Sequence, residues 1–340
     1  MAQTDVNDHG RFAVSLKTRQ KTWREPEPPV RYAYLKLLRE HDKTRRVYDI
    51  DPYAEVYQFR DNVYSIYQES LDGMGDVWSH LIIGPKKAML IDTGFGIGDL
   101  KGLCSRLTGG MELIVVCTHA HFDHAYGNHQ FGKVYCSEFE VPNMQKTLDP
   151  HIWDYLTDEK GQGVWCDFDV RDLIPYQEYE IVGLPDHSTF DLGEGYLVEL
   201  IHTGGHTPGH AMYLDHQSHI LFAGDDACYG NLSVGACAPT DPFYKYATVE
   251  AMRDRLQGIV NRGKEVEYIF PGHVAVDIRP VMLQSIIEAC DAVVKDPDSY
   301  DARSEFGMGG EPRITLKKMI FESGYLMYGP GKVYMNPQEK

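Results

Sequence analysis

The sequence predicts a chain of mixed helices and sheets, and three observations lead there. Short apolar runs of strand length, closed by Gly or Pro, cluster between residues 62 and 136 and again between 179 and 224. Longer segments with helical spacing lie between and after them, and histidines and aspartates gather just past several of the strand-like runs. The densest gathering is Thr118-His119-Ala120-His121-Phe122-Asp123-His124, directly after Leu113-Ile114-Val115-Val116-Cys117. Three imidazoles and a carboxylate within six positions are a set of metal-ligating groups, so function is to be sought there.

Taken in order, residues 1 to about 58 are polar, with Pro26, Pro28 and Pro29 ahead of a helix-like segment, 30–40, in which Tyr32, Leu35, Leu37 and Leu38 recur. This stretch reads as an extension packed on the core or as an arm that joins two subunits into a homo-oligomer. Residues 59–340 then form the expected catalytic domain. Strands are expected at 63–67, 77–83 and 88–91, the last ending at Asp92-Thr93-Gly94, and a helix at 99–107. The glycines at 94, 96 and 98 lack the full dinucleotide or phosphate-loop pattern, so they read as a tight turn holding Asp92 near the site. Beyond the histidine motif come a strand at 133–136, a helix at 137–147 and an irregular insert, 149–178, carrying His151, Trp153, Tyr155, Trp165 and Phe168. An aromatic insert of this kind reads as the cap of a pocket.

Strands return at 179–182, 188–191 and 196–201, the last running into His202-Thr203-Gly204-Gly205-His206-Thr207-Pro208-Gly209-His210. The run 220–223 ends at Gly224-Asp225-Asp226; a helix at 248–260 and a strand at 266–270 lead to Pro271-Gly272-His273. A helix-like stretch, 276–294, and a tail to Lys340 complete the chain.

Composition excludes several classes. With 33 basic against 50 acidic side chains the net charge is −17, and no basic block interrupts it, so nucleic acid is not an expected partner. No apolar run is long enough to span a bilayer, and the first thirty residues lack a secretory pattern, which predicts a cytoplasmic protein with no membrane partner. Seven cysteines without a C-x-x-C pair read as reduced thiols.

The ordered set His119-x-His121-x-Asp123-His124, then His206 before Thr-Pro-Gly-His, then Asp225 after Ala-Gly, then Gly272-His273, resembles the metallo-β-lactamase-fold hydrolase superfamily over about residues 60–280. Glyoxalase II, lactonases and arylsulfatases belong to it, and the first two mark the branch this chain is most similar to. The resemblance implies an α+β fold, a four-layer αββα sandwich, here with an N-terminal extension and a C-terminal helical tail. It also implies two divalent metal ions, zinc above all, with manganese or iron compatible. His119, His121 and His206 would hold one; Asp123, His124 and His273 the other; Asp225 would bridge, with Asp226 as its competitor. Asp92 would stand behind the ligands and orient an imidazole.

A hydroxide bridging two such metals would attack the carbonyl of a small molecule: a lactone, thioester, ester or cyclic 1,3-diketone. Asp123 would also hold the hydroxide's proton, and Tyr229 would orient or protonate the leaving oxygen. Trp153, Tyr229, Tyr244 and Lys245 are the candidate substrate contacts, Lys245 for an anionic group. The alternatives are a mononuclear iron enzyme like the persulfide dioxygenases, or a binding protein that kept the fold without activity. His80, His129, His151, His187, His202, His210, His216 and His219 read as surface or hydrogen-bonded histidines.

Overall fold

Two of the parallel strand pairings, Lys87–Ile91 with Glu112–Val116 and Ile220–Gly224 with Tyr268–Pro271, set where many of the chain's histidines and aspartates lie. In the computed structural model residues 6–7, 19–20, 33–306 and 313–336 are described. The chain divides into two compact units, Met1–Tyr135 with Pro142–Val182 and Asp191–Tyr196, and Cys136–Val141 with Gly183–Phe190 and Leu197–Lys340.

The first unit is organised on a sheet in the order Val6–Asn7, Arg46–Tyr48, Asp51–Arg60, Val63–Gln68, Val77–Ile83, Lys87–Ile91, Glu112–Val116, Lys133–Ser137 and Glu180–Leu184. It is antiparallel up to Lys87–Ile91, which pairs parallel with Glu112–Val116. Parallel neighbours need a crossover, and the helix Leu100–Thr108 supplies it. Asp99 caps that helix by accepting the Gly102 N–H at 2.8 Å, and Gly109 ends it in the left-handed conformation, φ 68°. Leu100, Leu103 and Cys104 turn inward. Because the two strands run the same way, they end together, and Asp92 N–H donates to the Val116 carbonyl at 2.9 Å.

In the second unit the sheet runs Thr189–Asp191, Leu197–His202, Ala211–Asp215, Ile220–Gly224, Tyr268–Pro271. Ile220–Gly224 and Tyr268–Pro271 are the parallel pair, joined through the helix Val249–Val260, which Thr248 caps. They too end side by side: Gly272 N–H donates to the Gly224 carbonyl at 2.8 Å. Met252, Leu256 and Ile259 of that helix pack with Leu214, Leu221 and Ile269 and with Leu283, Ile286, Ile287 and Cys290 of the helix Val281–Lys295. These last positions recur at helical spacing and form one apolar stripe.

Several boundaries differ from the sequence reading. The expected border at 58 falls inside Asp51–Arg60, which pairs with Val63–Gln68 from Ala54 to Arg60, so the chain from Arg46 onward is sheet rather than appended arm. Most of the earlier segment, including Pro26, Pro28 and Pro29, lies outside the described residues; its helix is seen from Ala33 to His41. The tail is not helical throughout. After Val281–Lys295 it forms the strands Ala302–Phe306, Arg313–Met319 and Tyr325–Tyr328, joined by Leu232–Ser233 into a second sheet of this unit. The expected helix at 137–147 is confined to Val141–Met144 and a further turn. The insert builds a core: Ile152, Trp153, Leu156, Cys166 and Ile174 are buried with Tyr53, Leu71 and Phe95. All seven cysteines are free thiols, and among the described residues no helix is long and apolar enough to cross a membrane.

A buried ion cluster ties the helix Ala33–His41 to the first sheet. Glu55, 0% exposed, receives Arg39 Nε at 2.8 Å, Arg45 Nη2 at 2.9 Å and the Tyr57 hydroxyl at 2.6 Å. Burial alone would raise the Glu55 pKa, but the two guanidinium groups override it and hold the carboxyl below its ordinary value. Its contribution is therefore full above the unfolded carboxylate pKa and disappears as pH falls through the folded one. Glu55→Ala leaves two guanidinium groups facing each other under the sheet and should lower the free energy of unfolding by about 3–5 kcal/mol. Urea denaturation at neutral pH measures this, and a loss below about 1 kcal/mol, the scale of an exposed pair, would refute the cluster's role.

Candidate metal centre

The first unit presents four of the expected ligands where Glu112–Val116 ends. His121 stands at the N-cap of the short helix Phe122–Ala125, which turns Asp123 and His124 inward. His119 Nε2 lies 3.0 Å from His121 Nδ1, and His124 Nε2 lies 3.7 Å from Asp123 Oδ2. His119 and His124 are fully buried and Asp123 nearly so.

Asp92 sets the direction of two of these rings. Its carboxylate accepts the Thr118 N–H at 2.7 Å, the Thr118 hydroxyl at 2.8 Å and His124 Nδ1–H at 2.8 Å. It does so from a left-handed backbone, φ 61°, that non-glycine residues adopt at a cost. A carboxylate only accepts, so the proton on His124 sits on Nδ1 and its Nε2 carries a lone pair. Thr118 has given its one proton to Asp92, so at 3.0 Å it accepts from His119 Nδ1, and His119 Nε2 is likewise bare.

The second unit presents His206, Asp225 and His273. Asp225 Oδ2 faces His206 Nε2 at 3.4 Å while Oδ1 faces His273 Nε2 at 3.2 Å. His206 Nδ1 donates to the Ser233 carbonyl at 2.7 Å, which leaves Nε2 unprotonated in the neutral ring; burial pushes the His206 pKa down, against the pull of Asp225. Asp226, the alternative to Asp225, is spent elsewhere. Fully buried, it takes the Thr203 hydroxyl, the His206 N–H at 3.0 Å and His210 Nδ1 at 2.8 Å. His210 Nε2 in turn accepts the Asp225 N–H at 3.1 Å, so the pair positions the neighbouring carboxylate and its backbone. Glu140 holds the Thr-Pro-Gly turn through Thr207 Oγ1 and Gly209 N–H, both at 2.9 Å.

These donor sets fit divalent cations. In each unit a bare imidazole nitrogen is turned on a carboxylate oxygen at 3.4 to 3.7 Å, His206 on Asp225 and His124 on Asp123. Two lone pairs at that separation repel, and a cation between them turns repulsion into attraction. Nitrogen and oxygen donors together suit zinc and its neighbours.

The profile of the Metallo-beta-lactamase superfamily matches residues 72–273. The chain belongs to the metallo-beta-lactamase superfamily. Acyl-coenzyme A thioesterase MBLAC2 of Bos taurus is 27% identical over 210 residues, covering 58% of this chain and 72% of its own. The Homo sapiens protein of the same name is similar to the same extent. Hydroxyacylglutathione hydrolase GloC of Haemophilus influenzae is 26% identical over 152 residues, 43% of this chain and 64% of its own. A solved metallo-beta-lactamase from Pontibacter korlensis matches with a TM-score of 0.50 at 18% identity, over 70% of this chain and 99% of that one. That likeness is one of fold, and the fold is the α+β metallo-beta-lactamase fold that the motifs implied.

The expected substrate contacts fare less evenly. Trp153 is 7% exposed, packs in the core of the first unit and donates its indole N–H to the Phe95 carbonyl at 2.9 Å, so it is a structural residue. Its flat ring fills the space beside Gly96, where a side chain would collide. The Tyr244 hydroxyl is taken by the Gly331 carbonyl at 2.9 Å, and Lys245 Nζ rests 4.9 Å from the centre of the Tyr246 ring. Tyr229 is 38% exposed. The histidines read as hydrogen-bonded are so: His80 with Ser65, His129 with two carbonyls, His151 with Asp154, His187 and His216 with Glu199, His202 with Pro208, His210 with Asp226 and His219 with Glu265.

Sequence reasoning missed Asp72, whose carboxylate is 5% exposed and whose pKa is raised by burial and by the charge of nearby Asp123. It sits in a Gly-rich loop, Leu71-Asp72-Gly73-Met74-Gly75, which gave no periodic signal. The pairings of Thr118 with Asp92 and of Thr203 with Asp226 were likewise not read from the sequence.

Asp92→Asn cannot accept all three hydrogen bonds, so His124 is free to turn or to change tautomer. The affinity for divalent metal should fall by about 10- to 100-fold, measured by competition with a chromogenic chelator, with the circular dichroism unchanged. An affinity equal to that of the natural chain would remove Asp92 from the site.

Proposed function

We propose that the chain is a metal-dependent hydrolase whose two ligand groups together hold two divalent ions, zinc first among them. His119, His121 and His206 serve one ion, Asp123, His124 and His273 the other, and Asp225 is shared. The observation that carries this reading is the Asp225 carboxylate, which turns one oxygen to His206 and the other to His273 and so has the disposition of a bridging ligand. Bound there, two divalent ions supply Lewis acidity toward a carbonyl and lower the pKa of water toward about 7, both of which hydrolysis needs at neutral pH.

The chain's own groups do the rest. Asp123 Oδ2, beside a histidine that cannot donate to it, is the group placed to take a proton from the attacking water. Asp92, Thr118, Asp226 and His210 hold the ligand rings and carboxylate in place, so little reorganisation is needed during reaction.

Among the carbonyl substrates open from the sequence, a thioester is favoured. Acyl-coenzyme A and hydroxyacylglutathione, the compounds in the names of the relatives, are both thioesters. A thiolate of pKa about 8.5 leaves without a proton donor, so a thioesterase does not need Tyr229 as an acid, and that tyrosine is exposed.

Two tests bear on this. Metal analysis of the purified chain should find two equivalents, and acyl-coenzyme A and acyl-glutathione substrates should release thiol in a colorimetric assay without oxygen uptake. One iron, with oxygen consumed on a persulfide, would overturn the reading. His121→Ala should lose both activity and one or both metals while its melting behaviour in chelator matches that of the natural chain, and full turnover by that variant would refute the site.

A further inference from the structure

The loop Ser70–Asp76 and the aromatic insert meet at a pair of polar groups that the hydrolytic machinery does not use. Asp72 Oδ1 accepts the Ser70 hydroxyl and the Met74 N–H, each at 2.9 Å. Among the described residues its Oδ2 meets only the Tyr155 hydroxyl, at 3.4 Å, long for a bond between oxygens. Among the described residues no lysine or arginine is paired with this nearly buried carboxylate.

The pair stands at the edge of the metal motif. The Phe122 ring lies between the His121 ring, stacked at 6.3 Å, and the Tyr155 ring, edge-on at 6.2 Å. Tyr155 continues to Trp165 at 5.9 Å, and Asp123 acts electrostatically on both Asp72 and Tyr155. An apolar wall therefore leads from the ligands to one polar point. That point is rich in acceptors: Asp72 Oδ2, which holds one long contact, and the lone pairs of the Tyr155 oxygen.

We propose that Asp72 and Tyr155 bind a hydrogen-bond donor on the acyl part of the substrate, a hydroxyl or N–H close to the reacting carbonyl, while Phe122, Tyr155 and Trp165 cover its carbon chain. This rests on the thioesterase reading for the reaction, and not for the binding itself. A site built to pair a donor rejects the analogue without one, because its buried acceptor is then left desolvated and unmatched. Such a chain selects among acyl thioesters by polarity rather than by length.

Asparagine at position 72 gives a sharp test. Two donors converge on Oδ1, so Asp72→Asn must place its amide oxygen there and present its NH2 group where Oδ2 stood. The polarity of the point is reversed with almost no change of shape. The probes are acyl-coenzyme A analogues in which CH2 replaces the thioester sulfur, with or without a hydroxyl within two carbons of the carbonyl, titrated calorimetrically into the zinc-loaded full chain.

The natural chain should bind the hydroxylated analogue about tenfold tighter. Asp72→Asn should bring the ratio near one by weakening only that analogue, and Tyr155→Phe should reduce it. An equal affinity for the two analogues in the natural chain, or a ratio untouched by Asp72→Asn, overturns the proposal. Hydrolysis of the matching thioesters is read in parallel. Turnover blind to the hydroxyl defeats this inference and leaves the thioesterase reading standing, whereas selective binding without turnover of any thioester does the reverse.

Discussion

One carboxylate in the first unit carries more of the site than any ligand does. Asp92 follows the strand Lys87–Ile91 in a left-handed conformation that costs about 1–3 kcal/mol for a residue with a side chain. In return it accepts three hydrogen bonds from Thr118 and His124, across the gap between two parallel strands. That single group closes the turn after one strand, fixes the entry of the motif after the other and decides which nitrogen of His124 is bare. The parallel pairing is what makes it feasible: two strands that run together end together, and the residues past their ends are neighbours.

The second unit repeats the device with different residues. Asp226 follows Ile220–Gly224, receives the hydroxyl of Thr203, and reaches His206 through its N–H and His210 through Nδ1. Thr203 corresponds in role to Thr118. What differs is the neighbour: Asp225 precedes the buried acceptor and turns both oxygens on imidazoles, so one position of the turn organises and the adjacent one is offered to a ligand. Hydrogen-bond capacity is what favours Asp225 over Asp226 in the proposed bridging role, since Asp226 already holds three donors. A carboxylate already holding three donors in the interior has no lone pair to spare in the right direction.

This division explains what could be read from the sequence. The strands were legible because β-branched runs such as Leu113–Cys117 and Ile220–Ala223 are apolar and closed by turn residues, and the ligands because imidazole and carboxylate have few other reasons to crowd a strand end. The helices between the paired strands were legible within a residue or two, at 99–107 and 248–260. Three things were not legible. The insert's hydrophobic residues have no period, so the burial of Trp153, a candidate substrate contact by sequence, against Tyr53 and Phe95 leaves no mark in the sequence. The tail strands alternate weakly and with many charges, as in Arg313–Met319, where only Leu316 is buried. Asp72 gives no signal at all, because a lone aspartate before Gly73 and Gly75 reads as a turn, and only its burial near a second acidic group reveals otherwise.

The overall charge of −17 bears on how such a site selects. A surface this acidic repels anions at a distance, a repulsion that falls off within about 8 Å in physiological salt and that bound divalent ions would reverse locally. Long-range attraction is therefore no source of specificity here, and discrimination has to arise at contact distance. Near the motif the surface includes the rings of Phe122, Tyr155 and Trp165, which in the proposed reading would give an acyl chain affinity with little selectivity. Asp72, a buried acceptor with no lysine or arginine paired to it among the described residues, is a feature that in the proposed reading would penalise the wrong chain by more than a methylene is worth. Its neighbours are set by the insert and by the loop Ser70–Asp76, while the proposed metal ligands are set by the strand ends, so in this reading the reaction and its selectivity would rest on separate pieces of the chain.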